Sequence, residues 1–179
     1  MDNKKLRLKD IKLVCSRQEL ERLPEGKLLI NTINAHSYNT ALKDPLFAEA
    51  LMKGDALIPD EASIVMACRW LKAKCQPQER IAGWDLFTYE MERLNRRGGT
   101  CFFMGSSEKV LALIREKAAK VYPNIRIGTY SPPYKPAFSE EENRAIVDAI
   151  NQAQPDLLWI GMTAPKQEKW AYSHWKELD

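Results

Sequence analysis

A chain of 179 residues is long enough to bury a core, and its 45% hydrophobic and 28% charged residues exclude general disorder. Lysine and arginine number 27 against 24 aspartate and glutamate, a formal charge of +3. So small an excess argues against a nucleic-acid partner, which selects a clustered basic face, but it leaves room for one locally positive pocket able to hold a phosphate.

In chain order, residues 28–33 (LLINTI) read as the first strand. Asp44 reads as a helix N-cap with Pro45 at the first helical position, and Leu46, Phe47, Ala50 and Leu51 keep helical spacing up to Gly54. Residues 56–58 form a short strand that ends at Pro59-Asp60. Residues 62–71 return to helical period, with Ile64, Val65, Ala67, Cys68 and Leu71 as the inner face. A further helix is expected over 85–97, terminated by Gly98-Gly99. Residues 100–104 (TCFFM) are an apolar strand of the kind covered on both faces.

Ser106 or Ser107 caps the next helix, whose predicted inner face is Val110, Leu111, Ile114, Ala118 and Val121. Residues 125–129 read as a strand, and the three prolines in 130–138 mark a loop. Ser139 with Glu142 makes a capping box ahead of Ala145, Ile146, Ala149 and Ile150. Gln154-Pro155-Asp156 turns the chain into the strand 157–161 (LLWIG), and a last helix starts near Pro165 and runs to the end. Five strands alternating with helices predict an α/β fold: a single Rossmann-like domain over residues 1–179, with a mostly parallel sheet and helices on both faces. Ligands of such sheets bind beyond the carboxyl ends of the strands.

Cys15, Cys68, Cys75 and Cys101 match no zinc spacing, and only His36 and His174 could assist them, so no metal site is expected. Reduced structural thiols in a cytosolic protein are the expectation, with Cys68 and Cys101 in the core. Residues 1–12 are rich in lysine and arginine and do not resemble a signal peptide. No apolar run approaches the ~20 residues that span a bilayer, so a soluble chain is expected.

Polar residues gather at the predicted strand ends in four clusters: Asn31 to His36, Pro59-Asp60-Glu61, Glu79 to Asp85, and Gly161 to Glu168. Any one of them could simply make turns and caps; together they mark one edge of the expected sheet. Gly105-Ser106-Ser107 is a strand–helix junction with backbone amides and hydroxyls suited to phosphate, or else a plain N-cap. It lacks the lysine of a P-loop, and no GxGxxG fingerprint occurs.

Taken in order, these clusters resemble the WecG/TagA/CpsF glycosyltransferases. The most specific match is Ala164-Pro165-Lys166-Gln167-Glu168-Lys169-Trp170 after LLWIG. Supporting matches are Asn31-Thr32-Ile33-Asn34, Asp44-Pro45, Ile58-Pro59-Asp60, Glu79 through Leu86 (ERIAGWDL) and Phe103-Met104-Gly105, so that the similarity covers about residues 28–178. The resemblance implies an inverting transfer of an N-acetylmannosamine-type sugar from a UDP donor to an undecaprenyl-diphosphate-linked acceptor, in wall teichoic acid, common antigen or capsule synthesis. It implies no cofactor and no metal; the DxD motif is absent here too. Where the family commonly has glycine after its aspartate, this chain has Glu61. Family members also usually continue past the position of Asp179 into a segment that closes the cleft and touches the membrane, a segment expected to be missing here.

On this resemblance Asp60 is the candidate base for the acceptor hydroxyl. Arg80 is the candidate diphosphate partner, since a guanidinium offers a bidentate fork. Thr32 and Asn34 would line the donor-sugar pocket, Gly105 and Ser106 would approach a phosphate, Gln167 would bond the sugar or a phosphate, and Lys166 would add positive charge. Lys169 reads as a solvated lysine, Trp170 and Trp175 as packing groups, and His36 as structural. A lipid-linked acceptor implies a cytoplasmic protein working peripherally at the inner membrane face. No amphipathic anchor is legible in residues 1–179, so that contact falls to a C-terminal segment or to the surface of a homo-oligomer. Two rival readings stand beside this one. A non-catalytic nucleotide-binding regulatory or scaffold module would have no use for Asp60. A nucleotide-sugar dehydrogenase or epimerase would need the missing dinucleotide fingerprint.

Overall fold

Ile30–Ile33 (INTI) and Ala56–Pro59 (ALIP) form β1 and β2, paired in parallel with Ile30 beside Ala56 and Ile33 beside Pro59. All four residues of β2 are buried, which is why this strand reads as an unbroken apolar run. The computed structural model describes residues 6–179, and the chain divides into two compact units, Met1–Phe87 and Thr88–Asp179.

In the first unit a short helix, α1 (Arg17–Leu20), precedes β1. Helices α2 (Ala35–Ala41) and α3 (Pro45–Lys53) make the crossover to β2, and α4 (Ala62–Trp70) follows it. Asp44 accepts the Phe47 N–H at 3.0 Å, with Pro45 at the first helical position, so α3 begins as its sequence dictates. Phe47, Ile33, Leu51, Leu57, Ile64 and Cys68 fill the core. Leu6, Leu8, Ile11 and Leu13 join them, and the Val14 N–H donates to the Leu57 carbonyl at 2.9 Å. Leu71, expected on the inner face of α4, is instead 49% exposed, because the helix has ended at Trp70 and the backbone turns away.

Helix α5 (Gly83–Arg97) leads into the second unit. There β3 (Gly99–Gly105) lies between β4 (Ile125–Tyr130) and β5 (Leu157–Gly161), parallel to both. Helices α6 (Glu108–Val121), α7 (Glu140–Ala153) and α8 (Lys166–Ser173) flank this sheet. The Ser139–Glu142 capping box forms in both directions, and Phe102, Met104, Ile146, Ile150, Trp170 and Leu178 make the core.

The fold is therefore α/β, with parallel strands in open sheets flanked by helices. Two expectations need correction here. Val110 and Val121 were assigned to the inner face of α6 but are 41% and 53% exposed. At 100° per residue they lie on the flank of a stripe centred on Leu111 and Ala118, which are the residues the helix buries. The last helix ends at Ser173 rather than at the end of the described chain, and its final turn carries no basic residue. No helix among the described residues is long and apolar enough to cross a membrane.

Candidate active site

In the first unit, β1 and β2 end side by side. The Asp60 N–H donates to the Ile33 carbonyl at 2.9 Å, which extends the parallel pairing by one residue past Pro59. Asp60 and Glu61 then each accept the first amide of a helix. Asp60 Oδ1 accepts the Gly83 N–H of α5 at 3.0 Å. Glu61 Oε2 accepts the Ala35 N–H of α2 at 3.1 Å and the Ser63 hydroxyl at 2.9 Å. The Ala35 N–H foremost, then the Ser63 hydroxyl and the charge of His36, hold Glu61 below the usual carboxylate range. Amides at the start of a helix lack intrahelical partners, so both carboxylates supply bonds that the helices would otherwise miss.

Helix α5 is fastened twice, since Asp85 Oδ2 also accepts the Ala82 N–H at 2.8 Å. Arg17 ties this corner to α1, pairing with Glu79 at 3.6 Å and with Asp85 at 3.3 Å. The Ile81 N–H donates to the Pro59 carbonyl at 3.0 Å, which lays the segment carrying Arg80 against the end of β2. Arg80 and Asp60 thus flank one backbone hydrogen bond. Among the described residues nothing engages the exposed Arg80 side chain, and Asp60 Oδ2 takes no hydrogen bond. Thr32, half-buried, stands next to Gly83: a Cβ added there would lie 3.7 Å from the Thr32 methyl. Asn34 is the N-cap of α2, its Oδ1 accepting the Ser37 N–H at 2.8 Å while the Ser37 hydroxyl closes the box. Asn31, in the matched segment, is buried and donates to the Ala50 carbonyl at 3.1 Å.

In the second unit, Gly105 and Gly161 are partners at the ends of β3 and β5. Gly105 has φ of +114°, and a Cβ on it would lie 2.4 Å from the Gly161 carbonyl oxygen, so no larger residue fits. Ser106 follows at φ of +70°, exposed, with its carbonyl accepting the Ser131 hydroxyl at 2.9 Å. Ser107, not Ser106, caps α6. Lys166 lies over the Phe138 ring, 3.6 Å from its centre, and donates to the Lys135 carbonyl; burial foremost lowers its pKa. Gln167 Nε2 donates to Glu168 Oε1 at 2.8 Å. Trp170 is buried, bonded to Asn143 at 2.9 Å and stacked on His174 at 4.8 Å, a packing group as expected.

The structure therefore brings Thr32, Asn34, Asp60 and Arg80 to one end of the first unit's sheet. In the second unit Gly105 and Ser106 stand at the end of β3, and Lys166 and Gln167 on the first turn of α8, which follows β5. A cavity of about 740 Å³ in the first unit lies near the start of β2, lined by residues such as Val14, Ala56 and Leu57; none of the predicted site residues lines it. Among the described residues no group of three or more His, Cys, Asp or Glu could hold a metal ion.

Sequence reasoning missed Glu61 as the partner of α2, and missed α2 itself, although Asn34 followed by Ser37 was a legible cap signal. It also passed over Glu168, which is only 5% exposed, has its Oε2 without a hydrogen-bond partner among the described residues, and is raised in pKa by burial.

Residues 7–179 match the family model described as Glycosyl transferase WecG/TagA/CpsF family. Three relatives named N-acetylglucosaminyldiphosphoundecaprenol N-acetyl-beta-D-mannosaminyltransferase are similar to this chain. The Bacillus spizizenii protein is 29% identical over 154 residues, 86% of this chain and 57% of its own length. The Bacillus subtilis protein is 27% identical over 146 residues, 82% of this chain and 54% of its own. The Staphylococcus aureus protein is 25% identical over 155 residues, 86% and 58% respectively. The chain thus spans a little over half the length of these relatives. With the match extending over all but one of the described residues, the chain belongs to the WecG/TagA/CpsF glycosyltransferase family.

Proposed function

We propose that this chain carries the donor-binding and catalytic residues of an inverting glycosyltransferase that moves an N-acetylmannosamine-type sugar from a UDP donor to an undecaprenyl-diphosphate-linked acceptor in cell-surface polysaccharide or teichoic acid synthesis. Family membership and the names of the relatives support the reaction class. The observation that carries it is local: Asp60 is anchored by one oxygen to the Gly83 N–H, and the Ile81–Pro59 backbone hydrogen bond lays the segment carrying Arg80 against the strand end that carries Asp60.

An inverting transfer needs a base at the acceptor hydroxyl and a counter-charge for the departing diphosphate. Asp60 Oδ2 takes the hydroxyl proton while the Gly83 N–H holds Oδ1 and fixes the direction of attack. Arg80 supplies the charge at the β-phosphate as the bond from sugar to UDP breaks. Thr32 and the amide nitrogen of Asn34 border the sugar; the Asn34 oxygen is already committed to α2. Gln167, Lys166, Gly105 and Ser106, all in the second unit, are read by themselves as sugar- or phosphate-binding groups from the family motifs in which they stand. The acceptor is lipid-linked, so the protein works peripherally at the inner face of the membrane. Transfer of radiolabelled N-acetylmannosamine from its UDP derivative to a short-chain lipid-diphosphate acceptor tests the reading. UDP binding without any transfer would identify a nucleotide-binding module instead.

A further inference from the structure

Cys15 lies between the buried Leu13-Val14 segment and α1, and Cys75 lies in the connection from α4 to α5, sixty residues later. Their sulfurs are 2.6 Å apart. Both are half-buried, and both thiols point at the same acceptor, the Leu13 carbonyl, at 3.6 Å from Cys15 and 3.2 Å from Cys75. One carbonyl serving two weak S–H donors gives neither thiol a strong bond of its own. A covalent S–S bond measures about 2.05 Å, so closing it needs a movement of only roughly half an ångström. Backbone bonds already hold the two segments together: the Gln78 N–H donates to the Cys15 carbonyl at 2.9 Å, and the Arg17 N–H to Glu79 Oε1 at 3.3 Å.

We propose that Cys15 and Cys75 are a redox-closable dithiol, a covalent modification site that takes a small-molecule disulfide as oxidant. The balance is a double exchange. Two protein S–H bonds and the reagent's S–S bond break, one protein S–S bond forms, and two small thiols leave carrying both hydrogens. Two electrons pass from the protein pair to the reagent. Burial foremost, and after it the neighbouring Cys75, pushes the Cys15 thiol up to about 12, which disfavours Cys15 as the first attacking thiolate. Cys75 therefore attacks the reagent, releasing one small thiol, and Cys15 then resolves the mixed disulfide, giving up its proton as the second small thiol leaves. Cys68 is fully buried in the apolar core against which Cys75 packs, near enough to both sulfurs to act on them electrostatically, but no hydrogen bond among the described residues joins it to either. The closed bridge fastens residues 13–17 to the segment that carries Arg80. It cross-links a loop of sixty residues, which restricts the unfolded chain strongly. This site depends on no assignment of the transferase reaction.

The experiment incubates the chain with glutathione disulfide, maps its peptides without reduction, and compares melting with a sample held in dithiothreitol. The expected result is one cross-linked peptide pair joining Cys15 to Cys75 and a melting midpoint higher by about 5–10 °C, both reversed by dithiothreitol. Cys15→Ser and Cys75→Ser should each abolish the cross-link and the shift. Should a serine variant fail to fold, the peptide map of the unaltered chain still decides. Single glutathione adducts, a bridge that uses Cys68, or an unchanged thiol count would overturn the proposal.

Discussion

Asp60 Oδ1 accepts the Gly83 N–H at 3.0 Å, so the residue proposed as the base also anchors the first turn of a helix. The two roles separate by substitution. Asparagine keeps an oxygen for Gly83 but cannot take a proton, so Asp60→Asn should lower turnover by about 10²–10⁴-fold with UDP-sugar affinity within a few-fold. Asp60→Ala should lose turnover and, in addition, about 1 kcal/mol of stability with the cap. Steady-state transfer assays and urea unfolding of both variants check this; unchanged turnover in the asparagine variant would remove Asp60 from catalysis.

Arg80→Ala should weaken UDP-sugar binding roughly 10–100-fold, the worth of a charge-assisted hydrogen bond. The unfolding midpoint should stay put, since nothing among the described residues holds the exposed guanidinium. Arg80→Lys should recover only part of the loss, because an ammonium lacks the planar fork. Calorimetric titration with UDP is the measurement. Equal UDP affinity in all three proteins would assign the diphosphate elsewhere.

Glu168 gives a pH dependence with a defined sign. Burial raises its folded pKa above the ordinary carboxylate value, so the folded state binds this proton more tightly than the unfolded chain does. The stabilising contribution is complete below the ordinary value and is lost as pH rises through the folded one. Glu168→Gln, which mimics the protonated form, should match the unaltered chain near pH 4 and exceed it near pH 8. Urea midpoints across that range provide the check.

Gly105→Ala should destabilise the second unit by at least ~2 kcal/mol, since the new methyl meets the Gly161 carbonyl oxygen at 2.4 Å on a backbone at φ of +114°. Urea unfolding measures it. A near-neutral change would mean that the strand ends can part.

The second unit was the more legible half. TCFFM is buried on both faces, whereas LLWIG, an equally apolar run, is only half-buried and ends at an exposed Gly161; the Ser139–Glu142 box fixes the start of α7 within one residue. Periodicity located all five strands but could not say which edges join; they pair as a ladder of two and a ladder of three. In the first unit, α2 lay hidden behind Asn34, whose cap signal was taken for a substrate contact, and Leu6, Leu8 and Leu13 were passed over because alternation in so charged a segment is a weak pattern. Asp60 and Arg80 were singled out from the motifs at the strand ends, and their segments meet at one backbone hydrogen bond. Glu61 as the partner of Ala35, and the sulfur pair sixty residues apart, depend on tertiary placement that no local pattern encodes.

Two successive acidic side chains leaving β2 neutralise the positive starts of α2 and α5 at once. That end of the sheet consequently leaves neither of these first helix amides open to a phosphate. On the proposed function a pyrophosphate would rest on Arg80, which lies outside both helices. Discrimination between the halves of a nucleotide-sugar would then begin with where the strand puts its negative charge.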